Sequence, residues 1–227
     1  MSIKSLPDYP LLKKLAEALW RNETSYQGAA IMVGSGFSRS AASSGDINSK
    51  LPLWNDLLKV LSKDLESDPW GDPLRISEEY SSYFGKQALK DVIEQTVNDP
   101  AWIPGDLYGS LLKLPWTEVL TTNWDTLLER AASDIYKPIY SIVNKPEDLS
   151  SSRSPRIVKL HGTVQISHNL IFTQEDYRQY PKTHAAFVNL ARQVFIENEF
   201  CLLGFSGDDP NFLQWVGWVR DHLASHA

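Results

Sequence analysis

Apolar positions recur at helical spacing near the start of the chain, where Leu11, Leu12, Leu15 and Leu19 follow Pro10 and predict an amphipathic helix. Residues 29–33 then form an unbroken apolar run that stops at Gly34, as expected of a short buried strand. A helix is predicted from Trp54, Leu57, Leu58, Leu61 and Leu65, another helical pattern runs over residues 76–97, and a short one covers 107–112. Strand character returns at 118–122 and is followed by a helix over 125–132, then by extended segments at 138–143 and 156–160. Thr173 and Asp176 have capping-box spacing, residues 185–196 read as an apolar helix and 200–205 as a buried strand. A last helix starts near Pro210, a residue suited to a first helical turn, and runs through Phe212, Leu213, Val216, Val219 and Leu223.

Short apolar strands alternating with helices imply a parallel sheet covered on both faces. The expectation is therefore an α/β, Rossmann-like, doubly wound sheet, with a helical insertion at about residues 50–115 between the first and second core strands. With 227 residues, 42% hydrophobic and 22% charged, the chain fits one globular domain spanning 1–227. Two serine-rich stretches, 41–49 and 150–154, read as exposed loops.

Charge and cysteine usage remove several classes of function. The net charge is −6, from 22 basic and 28 acidic residues without a basic block, so nucleic acid is not an expected partner. No apolar run approaches the roughly 20 residues of a membrane span, and the first 12 residues lack the apolar core of a signal peptide, so a cytoplasmic protein without membrane contact is expected. The single cysteine, Cys201, lies in an apolar stretch and reads as a small buried hydrophobe, which leaves neither a disulfide framework nor a cysteine-ligated zinc.

Four polar turns each follow a predicted strand. After the first come Gly34, Ser35, Gly36, Phe37 and Ser38, where glycines allow a tight turn and let a phosphate approach backbone amides. Arg39 stands where a full dinucleotide fingerprint has its third glycine, so this turn alone fits a nucleotide site and an ordinary strand-to-helix turn equally. The second turn holds Thr121, Thr122, Asn123, Trp124 and Asp125: the Asn123 carboxamide can hold a water or a ribose hydroxyl, and Asp125 can accept from a ligand amide, unless both only cap the next helix. The third, Lys159, Leu160, His161 and Gly162, offers a general base in His161, although a lone histidine is more often structural. The fourth, residues 203–211, combines Gly204, Ser206 and Gly207 with Asp209 as a helix cap before Pro210. In a parallel sheet four such turns converge on one crevice, which favours a shared site over four coincidences.

This ordered set resembles the sirtuin-like domain family. Gly34 to Ser38 resembles the sirtuin glycine loop; Thr121, Thr122, Asn123, Trp124 and Asp125 its Thr-Gln-Asn-Ile-Asp segment; His161 and Gly162 its His-Gly; and Gly204, Phe205 and Ser206 its Gly-Thr-Ser turn. Residues 203–211 look particularly like the NAD hydrolase branch found in bacterial antiphage defence. The resemblance implies NAD as substrate, with Gly34, Ser35, Gly36 and Ser38 at the pyrophosphate, Gly204 and Ser206 at the adenosine side and Asp125 at the nicotinamide carboxamide. It implies Asn123 as the residue orienting water or ribose and His161 as general base. The four-cysteine zinc module of sirtuin deacetylases is missing, as is the Gly-Ile-Pro-Asp-Phe-Arg stretch after the glycine loop, replaced here by residues 41–53.

The expected activity is thus NAD glycohydrolysis to nicotinamide and linear or cyclic ADP-ribose, without zinc, by a defence effector that depletes NAD. A sensor or regulatory domain or subunit outside the chain, an active oligomer and a fragment of a larger protein are expected on the same ground. The competing readings are a non-catalytic module sensing NAD or ADP-ribose and a divergent deacylase. Other chemistries fit less well. Ser206 lacks the spacing of a nucleophile elbow, Ser110 and Lys113 spell S-x-x-K on a helical pattern without companions, and His222 with His226 lacks the glutamate of a zinc helix.

Overall fold

A computed structural model describes residues 3–20, 28–45, 49–68, 71–164, 166 and 170–223. Along the chain lie α1 (Tyr9–Leu19), β1 (Gly28–Val33), α2 (Ser35–Ser38), β2 (Ala42–Ser43), α3 (Trp54–Asp64), α4 (Pro73–Phe84), α5 (Lys86–Val97), β3 (Trp102–Ile103), α6 (Asp106–Leu112) and β4 (Glu118–Thr121). There follow α7 (Leu127–Ser133), β5 (Ser141–Val143), β6 (Arg156–Lys159), α8 (Gln174–Thr183), α9 (Ala185–Glu197), β7 (Asn198–Leu203) and α10 (Pro210–Leu223).

Five strands form one sheet in the order β5-β6-β4-β1-β7, and every pairing is parallel. The chain builds outward from β1 on one side and returns to place β7 on the other. The strand order therefore reverses between β1 and β7, and the carboxyl ends of these two strands flank the crevice where α/β sheets bind ligands.

Strand β1 shows why its sequence is apolar without alternation. Ala29, Ile31 and Val33 face one core with Leu112, Leu127 and Ala131, while Ala30 and Met32 face the other with Phe187, Ala191 and Trp215. Helices cover both faces, so side chains pointing either way must be apolar. This is the doubly wound, Rossmann-like sheet that the periodicity predicts.

A third core lies between β1 and β4 in the sequence. Leu57, Leu58 and Leu61 of α3, Ile76 and Tyr80 of α4, and Leu89, Ile93 and Val97 of α5 pack together and continue onto Leu170 and Phe172. The ends of this helical segment are joined by β2 and β3, which pair antiparallel, Ala42 opposite Ile103 and Ser43 opposite Trp102. Asp99 ties the segment to α7 by accepting from the Thr126 hydroxyl at 2.6 Å, and Arg130 donates to the Trp102 carbonyl at 2.6 Å.

Local differences from the sequence reading have physical causes. The single helical pattern over 76–97 is two helices, because Gly85 has φ +93° and turns the chain between α4 and α5. The helix expected from 125 starts at Leu127, since the Asp125 carboxylate accepts from the Leu127 amide at 3.2 Å and stays outside the first turn. In α1, Leu15 and Leu19 pack against the core, but Leu11 is 68% exposed. Cys201 is half-buried on the edge strand β7 rather than enclosed, and burial still pushes its thiol above the ordinary range. Asp46 of the serine-rich loop and His226 of the histidine pair lie outside the described residues. The capping box forms: the Thr173 hydroxyl accepts from the Asp176 amide and the Asp176 carboxylate from the Thr173 amide, both at 3.1 Å.

Candidate functional site

The turns after β1 and β7 are built against each other, backbone to backbone. Gly34 donates to the Leu203 carbonyl at 3.0 Å and Gly36 to the Gly204 carbonyl at 2.9 Å. A Cβ on Gly204 would lie 2.2 Å from the Phe37 nitrogen, and one on Gly36 would lie 2.8 Å from the Gly204 oxygen. These glycines let two turns touch at the switch point. Gly36→Val is therefore expected to lower the thermal midpoint of unfolding before any effect on a ligand is measurable, a point that calorimetry on the unliganded variant checks.

The turn after β4 is fastened to the same loop. The Thr121 hydroxyl donates to the Val33 carbonyl at 2.8 Å and accepts from the Asn123 amide at 3.1 Å. The Asn123 carboxamide donates to the Ser38 hydroxyl at 2.9 Å, and Ser38 donates onward to the Asp125 carboxylate at 2.8 Å. Ser38 is thus a buried link between two turns, whereas Ser35 is exposed at the cavity wall. Asp125 also meets the Leu127 amide, so the capping alternative holds for half of its carboxylate; Asn123 caps nothing. Beneath the turn, fully buried Lys159 donates to the Asp125 carbonyl and pairs with Glu129 at 3.1 Å. Burial pushes the Glu129 carboxyl up, with the Lys159 ammonium opposing it.

His161 follows β6 and is 3% exposed. Its Nδ1 lies 3.5 Å from the Tyr177 hydroxyl, its Nε2 lies 3.4 Å from the Asn211 amide nitrogen, and Nε2 is 3.9 Å from an Asp209 carboxylate oxygen. Tyr177 donates to that same carboxylate at 2.8 Å. Tyr177 and Tyr180 meet the imidazole edge to face. Burial holds His161 below the ordinary histidine range; Asp209 pulls the other way and His184 adds to the lowering.

These turns open on one cavity of about 680 Å³, within the roughly 300–1,000 Å³ of small-molecule and cofactor sites. Ser35, Asn123, Asp125, His161, Gly204 and Ser206 line it, whereas Gly34 and Ser38 are buried behind its wall and Gly36 is exposed outside the lining. Trp54 and Trp124, edge to face at 5.1 Å between ring centres, bring the helical segment to its rim. Among the described lining residues four are aspartates, Asp72, Asp125, Asp208 and Asp209, and none is lysine or arginine. Such a cavity favours positive charge at its centre. Tyr177, Asp209 and Asn211 are site residues that the sequence reading did not assign. Asp209 carried a signal as a helix cap and Asn211 closed the fourth turn, whereas nothing in the pattern of α8 marks Tyr177.

Residues 117–227 match the family model of the SIR2-like domain. The matched span holds β4, β6, β7 and the turns carrying Asn123, Asp125, His161, Gly204 and Ser206, and β1 with its glycine loop completes the same sheet. Longer matches link the chain to curated proteins. It is 29% identical over 199 residues to the NAD(+) hydrolase ThsA of Acinetobacter baumannii (strain 532279), covering 86% of this chain and 39% of that protein. It is 26% identical over 216 residues to the NAD(+) hydrolase ThsA of Cytobacillus dafuensis, covering 92% and 40%. Defense-associated sirtuin 2 of Bacillus subtilis is 23% identical over 184 residues, covering 76% of this chain and 18% of its own length. The chain therefore spans about two fifths of the length of the ThsA relatives it matches. No helix among its described residues is long and apolar enough to cross a membrane.

Proposed function

We propose that this SIR2-like chain is an NAD glycohydrolase that releases nicotinamide and ADP-ribose. The observation that carries the reading is that Asn123, Asp125 and His161, from two different strand ends, line one cavity with Ser35, Gly204 and Ser206 at the β1/β7 switch point. Relatives named NAD(+) hydrolase support the same substrate. In this reading the pyrophosphate lies along the glycine turn at its exposed residues Ser35 and Gly36, with buried Gly34 and Ser38 shaping the turn from behind, the adenosine side against Gly204 and Ser206, and the nicotinamide carboxamide toward Asp125. Each Asp125 oxygen keeps acceptor capacity beyond the bonds from Ser38 and Leu127.

Cleaving the glycosidic bond builds positive charge on the ribosyl carbon, and the aspartates of the cavity stabilise that charge without a covalent nucleophile. Asn123, fixed by Ser38, orients the attacking water or ribose hydroxyl, and His161 takes its proton. A lowered pKa keeps His161 neutral, and therefore able to act as a base, at neutral pH. The reading needs no zinc, because one cysteine cannot build the four-thiolate module. By the same likeness the chain is an effector of bacterial defence that depletes NAD in the cytoplasm, controlled by a sensor domain or subunit and active as an oligomer. Incubating the purified chain with NAD and following nicotinamide tests the activity. Release of nicotinamide with ADP-ribose is expected; binding without cleavage in every assembly state would instead make the chain a nucleotide sensor.

A further inference from the structure

We propose that Tyr177 and Asp209 are positioning residues that hold His161 in one tautomer and stabilise it when it takes a proton. The proposal rests on the reading of His161 as the general base of NAD cleavage.

Hydrogen counting around the ring fixes the roles. A tyrosine hydroxyl has one hydrogen, and that of Tyr177 is directed at Asp209 Oδ2, 2.8 Å away. Its oxygen therefore presents a lone pair to His161 Nδ1 at 3.5 Å, which makes Nδ1 the protonated nitrogen. On the other side, the Asn211 amide nitrogen lies 3.4 Å from Nε2 and suits an Nε2 that accepts. The neutral ring so defined carries its basic lone pair on Nε2. The order Nδ1–H, Tyr177, Asp209 parallels the way a buried aspartate fixes the tautomer of a catalytic histidine, with a hydroxyl interposed.

Asp209 is itself immobilised independently of any ligand. Its Oδ1 accepts from the Phe212 amide at 3.0 Å and its carbonyl from the Leu213 amide at 3.0 Å, both in the first turn of α10. One carboxylate thus caps a helix with one oxygen and addresses the histidine with the other. At 3.9 Å from Nε2 in a buried site, its charge offsets that of an imidazolium. The titratable groups around the ring are Tyr177 and Tyr180 of α8, with Asp176 beside them, His184 at the start of α9, and Asp209. Tyr180 donates to the Leu160 carbonyl and His184 opposes protonation, which leaves Asp209 as the group favouring it. When water attacks the ribosyl carbon, the carbon–nitrogen bond to nicotinamide breaks with its electron pair leaving on the pyridine nitrogen. Water gives its oxygen to the ribose and a proton to His161, which later passes it to solvent.

Ring ¹⁵N NMR of the full chain, with the His161 signal identified by its loss in His161→Gln, tests the proposal without requiring catalysis. The parent should show the Nδ1–H tautomer. Tyr177→Phe should move the population toward Nε2–H, and Asp209→Asn, which keeps an acceptor for the Phe212 amide, should move the protonation midpoint of His161 to lower pH. Asp209→Ser provides the same readout through a different cap should the asparagine variant misfold. In nicotinamide release, kcat should fall about 10- to 100-fold in Asp209→Asn, part of what a general base contributes, with KM for NAD changed less than about threefold. An unchanged tautomer and midpoint in the folded variants would reduce Asp209 to a helix cap, whatever the chain cleaves. A parent with the expected ring behaviour that releases no nicotinamide would overturn the NAD reading and leave the tautomer assignment standing.

Discussion

Replacing His161 or Asn123 with alanine is expected to reduce nicotinamide release by about 10²- to 10⁴-fold, the range spanned by a positioned general base or its partner. Both side chains line the cavity, yet they are only 3% and 7% exposed, so each truncation also leaves partners behind. His161→Ala removes a ring that Tyr177, Tyr180 and Asn211 surround, and Asn123→Ala removes a bond to Ser38. The stability cost should be about 1–3 kcal/mol, which a domain of this size tolerates while remaining folded. NAD affinity should change far less than turnover, because the remaining cavity wall is intact. In the parent, the acid limb of the rate should lie below about pH 6.5, the ordinary histidine value, since burial favours the neutral ring that a base requires. Turnover at the parental rate by folded variants that still bind NAD would remove both residues from the mechanism.

The sheet was legible because its physics is local. A strand buried on both faces must be an apolar run of four to six residues, and residues 29–33, 118–122 and 156–160 each hold the observed β1, β4 and β6 to within a residue or two. Elements set by one backbone angle or by a distant partner were not legible. Periodicity runs through Gly85, where a positive φ breaks the helix, and the two-residue pairing of β2 with β3 is too short to leave a pattern. The candidate site divides in the same way. Strand ends announced Asn123, Asp125, His161 and Ser206, since polar residues after buried strands must go somewhere. What each side chain touches needed coordinates: Ser38 reads like Ser35 in sequence, yet one is a buried link and the other faces the cavity. Tyr177 reaches His161 from 16 positions away on a helix whose sequence gives no sign of it.

Lys159→Met is expected to cause the largest loss of stability, about 3–5 kcal/mol, or about 6–20 °C in the unfolding midpoint for a chain of this length. Lys159 is fully buried, yet its side chain reaches both the Asp125 carbonyl and the Glu129 carboxylate, so methionine keeps its bulk and removes only its charge and donors. Glu129 would then be a buried carboxylate without its cation, and burial already pushes its pKa up. A carboxyl whose folded pKa is raised binds more protons folded than unfolded, so its contribution falls as pH rises above the unfolded value near 4.3. The variant should accordingly lie closer to the parent at pH 5.5 than at pH 8. The double variant Lys159→Met, Glu129→Leu should recover most of the loss, since a well-packed apolar pair can replace a buried ion pair at little cost. Thermal unfolding of the parent and the two variants at both pH values decides the matter. A single variant as stable as the parent at pH 8 would mean that Glu129 finds water when Lys159 is gone, and that the bonds from Ser38, Thr121, Leu127 and Val164 hold the turn carrying Asn123 and Asp125 without the lysine.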